Sequence, residues 1–266
     1  MSRAFFPSIM GAETCFSKTG MFFSVIANNR ANMNNTAQKR ILLFLKYPER
    51  GTVKSRLAVS LSDATAAELY KCFVLDTLAV VKQTGIPVTI CFYPPGARAG
   101  CLRWLGTGFT YREQRGHDLG RRMKNSFREA YEEGYHQVMI LGTDSPDLPG
   151  AIITEAFTAL TTGDCVIGPA ADGGYYLIGF KKDCFLDTAF DTISWSTGAV
   201  FEQTMGILNN AGLNVHVLPV WNDVDTADDL AALIARNGQT AFCRSHTCAF
   251  LARMGFLDNE NDGLHT

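Results

Sequence analysis

Val138-Met-Ile-Leu-Gly-Thr-Asp144-Ser-Pro-Asp147-Leu-Pro149 is the stretch from which the fold is read. Its apolar start has the length and character of a buried strand, and the run stops at Gly142. Two carboxylates follow, each beside a proline that keeps the chain from running straight on as a helix. Asp144 is therefore expected at the carboxyl end of a buried strand, the edge at which open α/β sheets bind ligands. An acidic residue there suits a hard divalent cation, Mg²⁺ or Mn²⁺, which in turn can hold a diphosphate. The alternative is a turn in which Asp144 and Asp147 cap a helix starting near Gly150.

The same pattern repeats outward from this segment. Arg40 to Lys46, Pro87 to Tyr93, Phe109 to Arg112, Gln137 to Leu141, Asp164 to Gly168, Tyr175 to Phe180 and Asn214 to Val220 read as strands. Helices are expected from Ala64 to Thr84 with Asp63 as N-cap, from Ala97 to Leu105, and from Asp118 to near Gly134. More are expected from Ala151 to Leu160, Thr197 to Asn210 and Thr226 to Arg236. Continuous apolar strands alternating with amphipathic helices predict an α/β domain with a mostly parallel sheet sandwiched between helices. The expected organisation is an N-terminal extension over residues 1–38, poorly ordered and containing the Asn-rich segment, one domain over 39–237, and a tail over 238–266. The tail loses the periodicity apart from one short helix near Ala249 to Met254.

The chain has 266 residues, room for one large α/β domain. Its formal charge of −2 and its scattered basic residues give no electrostatic case for nucleic acid. No run approaches the roughly 20 apolar residues of a membrane span. The eight cysteines form no C-x-x-C pair, so free thiols in a reducing cytoplasm are expected. Cys243, Cys248 and His246 complete no tetrahedral metal site.

Four loops carry candidate chemistry. The first, Lys46-Tyr-Pro-Glu-Arg-Gly51-Thr-Val-Lys54-Ser-Arg56-Leu57, lies between the first strand and the first long helix, where nucleotide phosphates sit in doubly wound folds. Lys46, Lys54 and Arg56 offer donors to phosphate oxygens, Arg56 bidentately, and Gly51 allows close approach. A solvated basic loop is the plainer reading. In the second loop, Gln114-Arg-Gly116-His-Asp118, Gln114, Gly116 and Asp118 are candidates for nucleotide or phosphate binding; Gly116 lets backbone approach a ligand, while Asp118 serves either the ligand or the next helix as its cap. In the third, Asp172-Gly173-Gly174-Tyr175-Tyr176, the paired glycines leave room for an acceptor beside Asp172. Asp172 is expected to be the catalytic base or a hydroxyl-orienting carboxylate, and one of Tyr175 and Tyr176 to face the site, with Tyr175 on the acceptor side. In the fourth, Trp221-Asn-Asp223-Val-Asp225-Thr226, Asp225 is either an N-cap or a second metal ligand facing Asp144.

Taken in order, K-x-P-x-x-G-x-x-K-S-R-L, Q-x-G-x-D-L-G-x-R-M, G-T-D-x-P-x-L and G-P-x-x-D-G-G-Y-Y-L-I-G resemble the DUF2064 group of glycosyltransferase-like proteins (the rSAM/selenodomain-associated transferase 1 type). That group sits within the nucleotide-diphospho-sugar transferase (GT-A) superfamily, and the resemblance covers roughly residues 40–237. Ser55 stands where Thr is commoner. The resemblance implies a single GT-A-type Rossmann-like domain, a divalent metal site on the aspartate of the D-x-P loop, and binding of a nucleotide or nucleotide-sugar. The function expected is transfer from a nucleotide-diphospho-sugar donor to a small-molecule acceptor. Nucleotidyl transfer from a nucleoside triphosphate is the alternative, for which Lys181, Lys182 and Arg121 would form a basic acceptor pocket. A non-catalytic nucleotide-binding protein is the third reading. The chain lacks the L-x-G-G-x-x-x-R-M opening of the related molybdenum-cofactor guanylyltransferases and carries Lys46-Tyr-Pro48 there, which weighs against nucleotidyl transfer. Oligomeric state, donor base and acceptor are left open.

Overall fold

A computed structural model describes residues 38–257. The expected N-terminal extension, apart from its last residue, and the last nine residues of the tail lie outside the described residues. The described chain runs β1 (Lys39–Lys46), α1 (Ser55–Leu61), α2 (Asp63–Gln83), β2 (Val88–Tyr93), α3 (Arg98–Leu105), β3 (Thr110–Glu113), α4 (Leu119–Glu132) and β4 (Gln137–Leu141). It continues through α5 (Gly150–Thr162), β5 (Cys165–Pro169), β6 (Tyr175–Lys181), α6 (Val200–Asn210), β7 (Val215–Val217), α7 (Ala227–Asn237) and α8 (His246–Arg253).

The seven strands form one sheet in the order β3-β2-β1-β4-β6-β5-β7. β1 pairs in parallel with both β2 and β4, β2 with β3, and β5 with β7. β6 alone is reversed, antiparallel to β4 and β5. The other six strands therefore point the same way and end on one edge.

The continuous apolar strands have the physical cause that their sequence suggested. Ile41, Leu43 and Leu45 of β1 enter the core under α1, α2, α5, α7 and α8, while Leu42 and Phe44 enter a second core under α4 and α6. β4 splits likewise, Met139 and Leu141 to one face, Val138 and Ile140 to the other. A strand covered on both faces needs apolar side chains at every position.

Several boundaries shift for identifiable reasons. Ser62, not Asp63, caps α2, its hydroxyl accepting from Thr65 N at 3.2 Å, and Asp63 sits in the first turn. The loop expected through Leu57 contains α1, which begins from Lys54 in a left-handed conformation (φ 49°, ψ 45°) with no side-chain cap to announce it. β7 is shorter than expected because Pro219 has no N–H to extend the ladder. Residues 238–257 carry more order than the lost periodicity suggested. The helix expected near Ala249 begins at His246, and Asp76 of α2 accepts from the backbone N–H groups of His246 (2.7 Å) and Thr247 (2.9 Å). Among the described residues, no helix is long and apolar enough to cross a membrane, and the seven cysteines are free.

Candidate functional site

The shared direction of β1, β3, β4, β5 and β7 brings the four motif loops and the D-x-P loop to one edge of the sheet. Two hydrogen-bond ties join them there. Val224 N donates to Asp144 O at 2.9 Å, linking the fourth loop to the D-x-P loop. Tyr70 OH contacts Thr143 Oγ1 at 2.9 Å and accepts from Lys46 N at 3.1 Å, linking the D-x-P loop to the first.

Lys54 is the centre of the arrangement. Its ammonium ion-pairs with Asp144 and lies 2.7 Å from Asp225 Oδ1. The lysine side chain is 4% exposed, while those of Asp144 and Asp225 are 55% and 37% exposed. Burial alone would lower the pKa of this ammonium, but the two carboxylates outweigh it and hold the pKa above the ordinary lysine value. Asp225 is free for this role because Thr226, not Asp225, caps α7, in a reciprocal capping box with Asp229. Lys46 donates to Thr52 O at 2.5 Å and braces the same loop, in which Gly51 takes φ 72°. Arg56 stands exposed in the first turn of α1.

Beside this trio stand two more carboxylates. Asp172 is exposed, and its Oδ1 accepts from Gly174 N at 2.8 Å. Gly173 has φ 88°, and a Cβ there would meet Gly198 O at 2.1 Å, so this turn admits only glycine. Asp223 was not singled out from the sequence. Burial, then the charges of Asp172 and Asp225, push its carboxyl pKa up to about 6. The available signal was the D-V-D spacing, with Val224 fully buried between the two acids. Ser145 was also passed over. Its hydroxyl is buried next to Asp144 with no hydrogen-bond partner.

Other residues expected at the site are committed to structure. Gln114 is buried, and its amide donates to Leu45 O (3.2 Å) and Cys91 O (2.8 Å), clamping β1 and β2 rather than facing a nucleotide. Asp118 caps α4, accepting from Arg121 N at 2.7 Å. Gly116 makes room for that helix start, since a Cβ there would lie 2.7 Å from Arg121 Cβ. Asp147 does not cap α5. It is 2% exposed and accepts from Arg236 (2.7 and 3.0 Å), Asn237 (2.7 Å) and Trp221 (3.1 Å). Tyr175 packs edge-to-face with Trp195, and Tyr176 donates to Pro219 O at 3.0 Å, so both rings serve packing. Lys181 pairs across from Gln137 at the start of β4, and Lys182 donates to Tyr131 O. Both therefore lie at the edge opposite the motif loops, and the basic acceptor pocket expected for nucleotidyl transfer is not assembled.

Asp144 and Asp225 converge on one cation, here an ammonium, and present hard oxygen donors open to solvent on the outer side. That donor set fits Mg²⁺ or Mn²⁺. Among the described residues, no group of three or more His, Cys, Asp or Glu could hold a metal by itself. An ion held here would complete its shell with water and ligand oxygens, as Mg²⁺ does at phosphate sites.

The family model of DUF2064, described as an uncharacterized protein conserved in bacteria, matches residues 76–197. A crystal structure of a candidate nucleotide-diphospho-sugar transferase from Desulfovibrio desulfuricans G20 is 40% identical, covering 82% of this chain and 96% of that one with a TM-score of 0.80. A candidate glucose-1-phosphate thymidylyltransferase from Bacillus anthracis is 13% identical over 79% of this chain and 99% of that one, TM-score 0.51. The 4-diphosphocytidyl-2C-methyl-D-erythritol synthase from Anaerococcus prevotii DSM 20548 is 11% identical over 77% and 99%, TM-score 0.50. The last two share the fold alone. No curated protein matches the chain.

Proposed function

The chain belongs to the DUF2064 family, and from that premise we propose that it is a metal-dependent glycosyltransferase using a nucleotide-diphospho-sugar donor. The observation that carries this reading is a buried lysine held between two half-open aspartates on the carboxyl edge of a parallel sheet, with a further exposed aspartate alongside. The description of the 40% identical relative as a nucleotide-diphospho-sugar transferase supports it.

In this reading Asp144 and Asp225 hold Mg²⁺ or Mn²⁺, and the ion supplies charge stabilisation for the departing nucleoside diphosphate. Lys54 and Arg56 donate to the diphosphate oxygens, Arg56 from the exposed first turn of α1. Lys46 and Gly51 shape the loop that carries them. Asp172 accepts the proton of the acceptor hydroxyl while that oxygen bonds to the anomeric carbon. The sugar–phosphate bond breaks and its electron pair leaves with the diphosphate. Gly173 and Gly174 keep the acceptor side open. The placement of Lys181 and Lys182 at the far edge counts against a phosphorylated acceptor and so against nucleotidyl transfer. The proposal includes a cytoplasmic setting, in which free thiols persist.

A thermal-shift screen of nucleoside diphosphates, nucleoside triphosphates and nucleotide-sugars, with and without Mn²⁺, tests the reading. A ligand at a hundred times its Kd stabilises the fold by about 2.7 kcal/mol. The expected result is stabilisation by nucleotide-diphospho-sugars that requires the metal. Stabilisation by triphosphates alone would favour nucleotidyl transfer, and no stabilisation by any nucleotide with Mn²⁺ would remove the enzymatic reading.

A further inference from the structure

We propose that Lys54 is the resident cation of this site, that a divalent ion takes the ammonium's place between Asp144 and Asp225, and that the displaced lysine then binds the donor's diphosphate. This rests on the metal-dependent reading above and adds to it a coupling between metal and nucleotide.

Three observations carry it. The ammonium engages one carboxylate oxygen, Oδ1, of both Asp144 and Asp225. Two carboxylates with one ammonium carry a net charge of −1, whereas the pair without it offers −2 to a divalent ion. An ion bridging the pair and the ammonium therefore compete for the same oxygens and the same charge. Second, the lysine side chain is nearly fully buried while its two partners are open to solvent. The ammonium is the inner member of the trio, and Phe73, with its ring centroid 5.8 Å from Nζ, is its apolar backing. A long lysine buried this way at a ligand-binding edge is spent on closing an acidic cleft, and it reaches a phosphate only after leaving that cleft. Third, the Lys54 backbone is left-handed (φ 49°, ψ 45°) at the junction between a loop and α1, a conformation that costs a non-glycine residue free energy and concentrates at functional positions. The flexible four-carbon stem on such a junction can turn outward without unwinding a helix.

The consequence is reciprocal. If the metal frees Lys54 for phosphate, nucleotide must strengthen metal binding by the factor by which metal strengthens nucleotide binding. The lysine thus offsets part of the cleft's negative charge when no donor is present and makes the site responsive to metal and diphosphate together.

Two measurements on the full chain test this. In the first, Mn²⁺ binding without nucleotide is followed by calorimetry for the wild type and for Lys54→Met. Removing a competing ammonium should tighten Mn²⁺ binding by about tenfold or more, since an ion-pair contact at an effective dielectric of 20 exceeds the 1.4 kcal/mol that tenfold requires. A lysine with a merely structural role would give equal or weaker Mn²⁺ binding, and that result overturns the proposal. In the second, amine acetylation of the wild-type chain is mapped by mass spectrometry with and without Mn²⁺. Lys54 should be protected alone and become labelled at saturating Mn²⁺. Continued protection with Mn²⁺ bound overturns the proposal even if Lys54→Met fails to fold. If neither chain binds Mn²⁺, the metal-dependent reading itself fails and takes this proposal with it. Bound Mn²⁺ with Lys54 still buried overturns only the proposal.

Discussion

At the scale of single residues, the site is a problem in placing like charges. Four carboxylates, Asp144, Asp172, Asp223 and Asp225, share one sheet edge with one buried ammonium, and Asp223 bears the cost. Burial first, then Asp172 and Asp225, raise its carboxyl pKa from the ordinary 3.8 to about 6. The folded state therefore binds a proton more readily than the unfolded chain between those two values, so this group's contribution to stability falls as pH rises from about 4 to about 6. Asp223→Asn should raise the melting temperature relative to wild type at pH 7 and lose that advantage near pH 4. A variant less stable than wild type at pH 7 would mean that the carboxylate is compensated by a partner. Asp172 makes the opposite kind of claim, about rate. Asp172→Asn should leave Mn²⁺-dependent donor binding near wild type and slow turnover by about 10²-fold or more, the range for a lost general base. If it abolished metal binding instead, Asp172 would be a ligand and Asp225 the better base.

At the scale of elements, the loops hold their geometry through contacts that the sequence only half disclosed. The strand ends and the four loops were legible, because buried strands read as apolar runs and Gly, Pro and Asp punctuate their exits. The direction in which a polar side chain turns was not. Gln114 looked like a donor to ligand and turned inward to two backbone carbonyls, and Asp147 looked like a helix cap and is a tie to α7. That tie fixes the D-x-P loop against α7 through Arg236 and Asn237, and against the fourth loop through Trp221. Burial would raise the Asp147 pKa, but those three donors outweigh it and hold it below the ordinary carboxylate value. Asp147→Ala leaves the Arg236 guanidinium and the amide of Asn237 without their acceptor. It should cost about 3 kcal/mol, the lower end for a broken buried pair because Arg236 keeps some access to water. Urea denaturation would measure it, and a loss below 1 kcal/mol would make the tie incidental. α1, hidden inside an expected loop, carries the complementary claim for binding. Arg56→Lys keeps the charge in its first turn but loses the planar fork, so nucleotide affinity should fall by roughly 1–2 kcal/mol. Unchanged affinity at low salt would return Arg56 to an ordinary solvated side chain.

At the scale of the whole molecule, the parallel direction of six strands does what no local pattern does, which is to gather residues 46–56, 144, 172 and 223–225 on one edge. Direction follows from the alternation of strands and helices, so the gathering was foreseeable. The closure of the acidic cleft by Lys54 was not, because it depends on long-range pairs and on a left-handed residue that no motif announces. The same limit applies past Asn237, where a short helix was legible but its start at His246 and its packing onto α2 were not. Residues 238–257 carry α8, whose Leu251 is buried in the core under α2, and whose first N–H groups are capped across the chain by Asp76. A capping carboxylate is worth about 1–2 kcal/mol and a buried leucine about 2 kcal/mol. Ending the chain after Gly238 should therefore cost about 3 kcal/mol and lower the melting temperature by roughly 5–10 °C. The lost cap and the lost leucine separate in Asp76→Ala, which should cost only the capping part. If the shortened chain melted with the wild type, α8 would be a passenger on the fold and the domain would end with α7. A large loss from the truncation and a small one from Asp76→Ala would instead place the stabilisation in the apolar contact that α8 makes with α2.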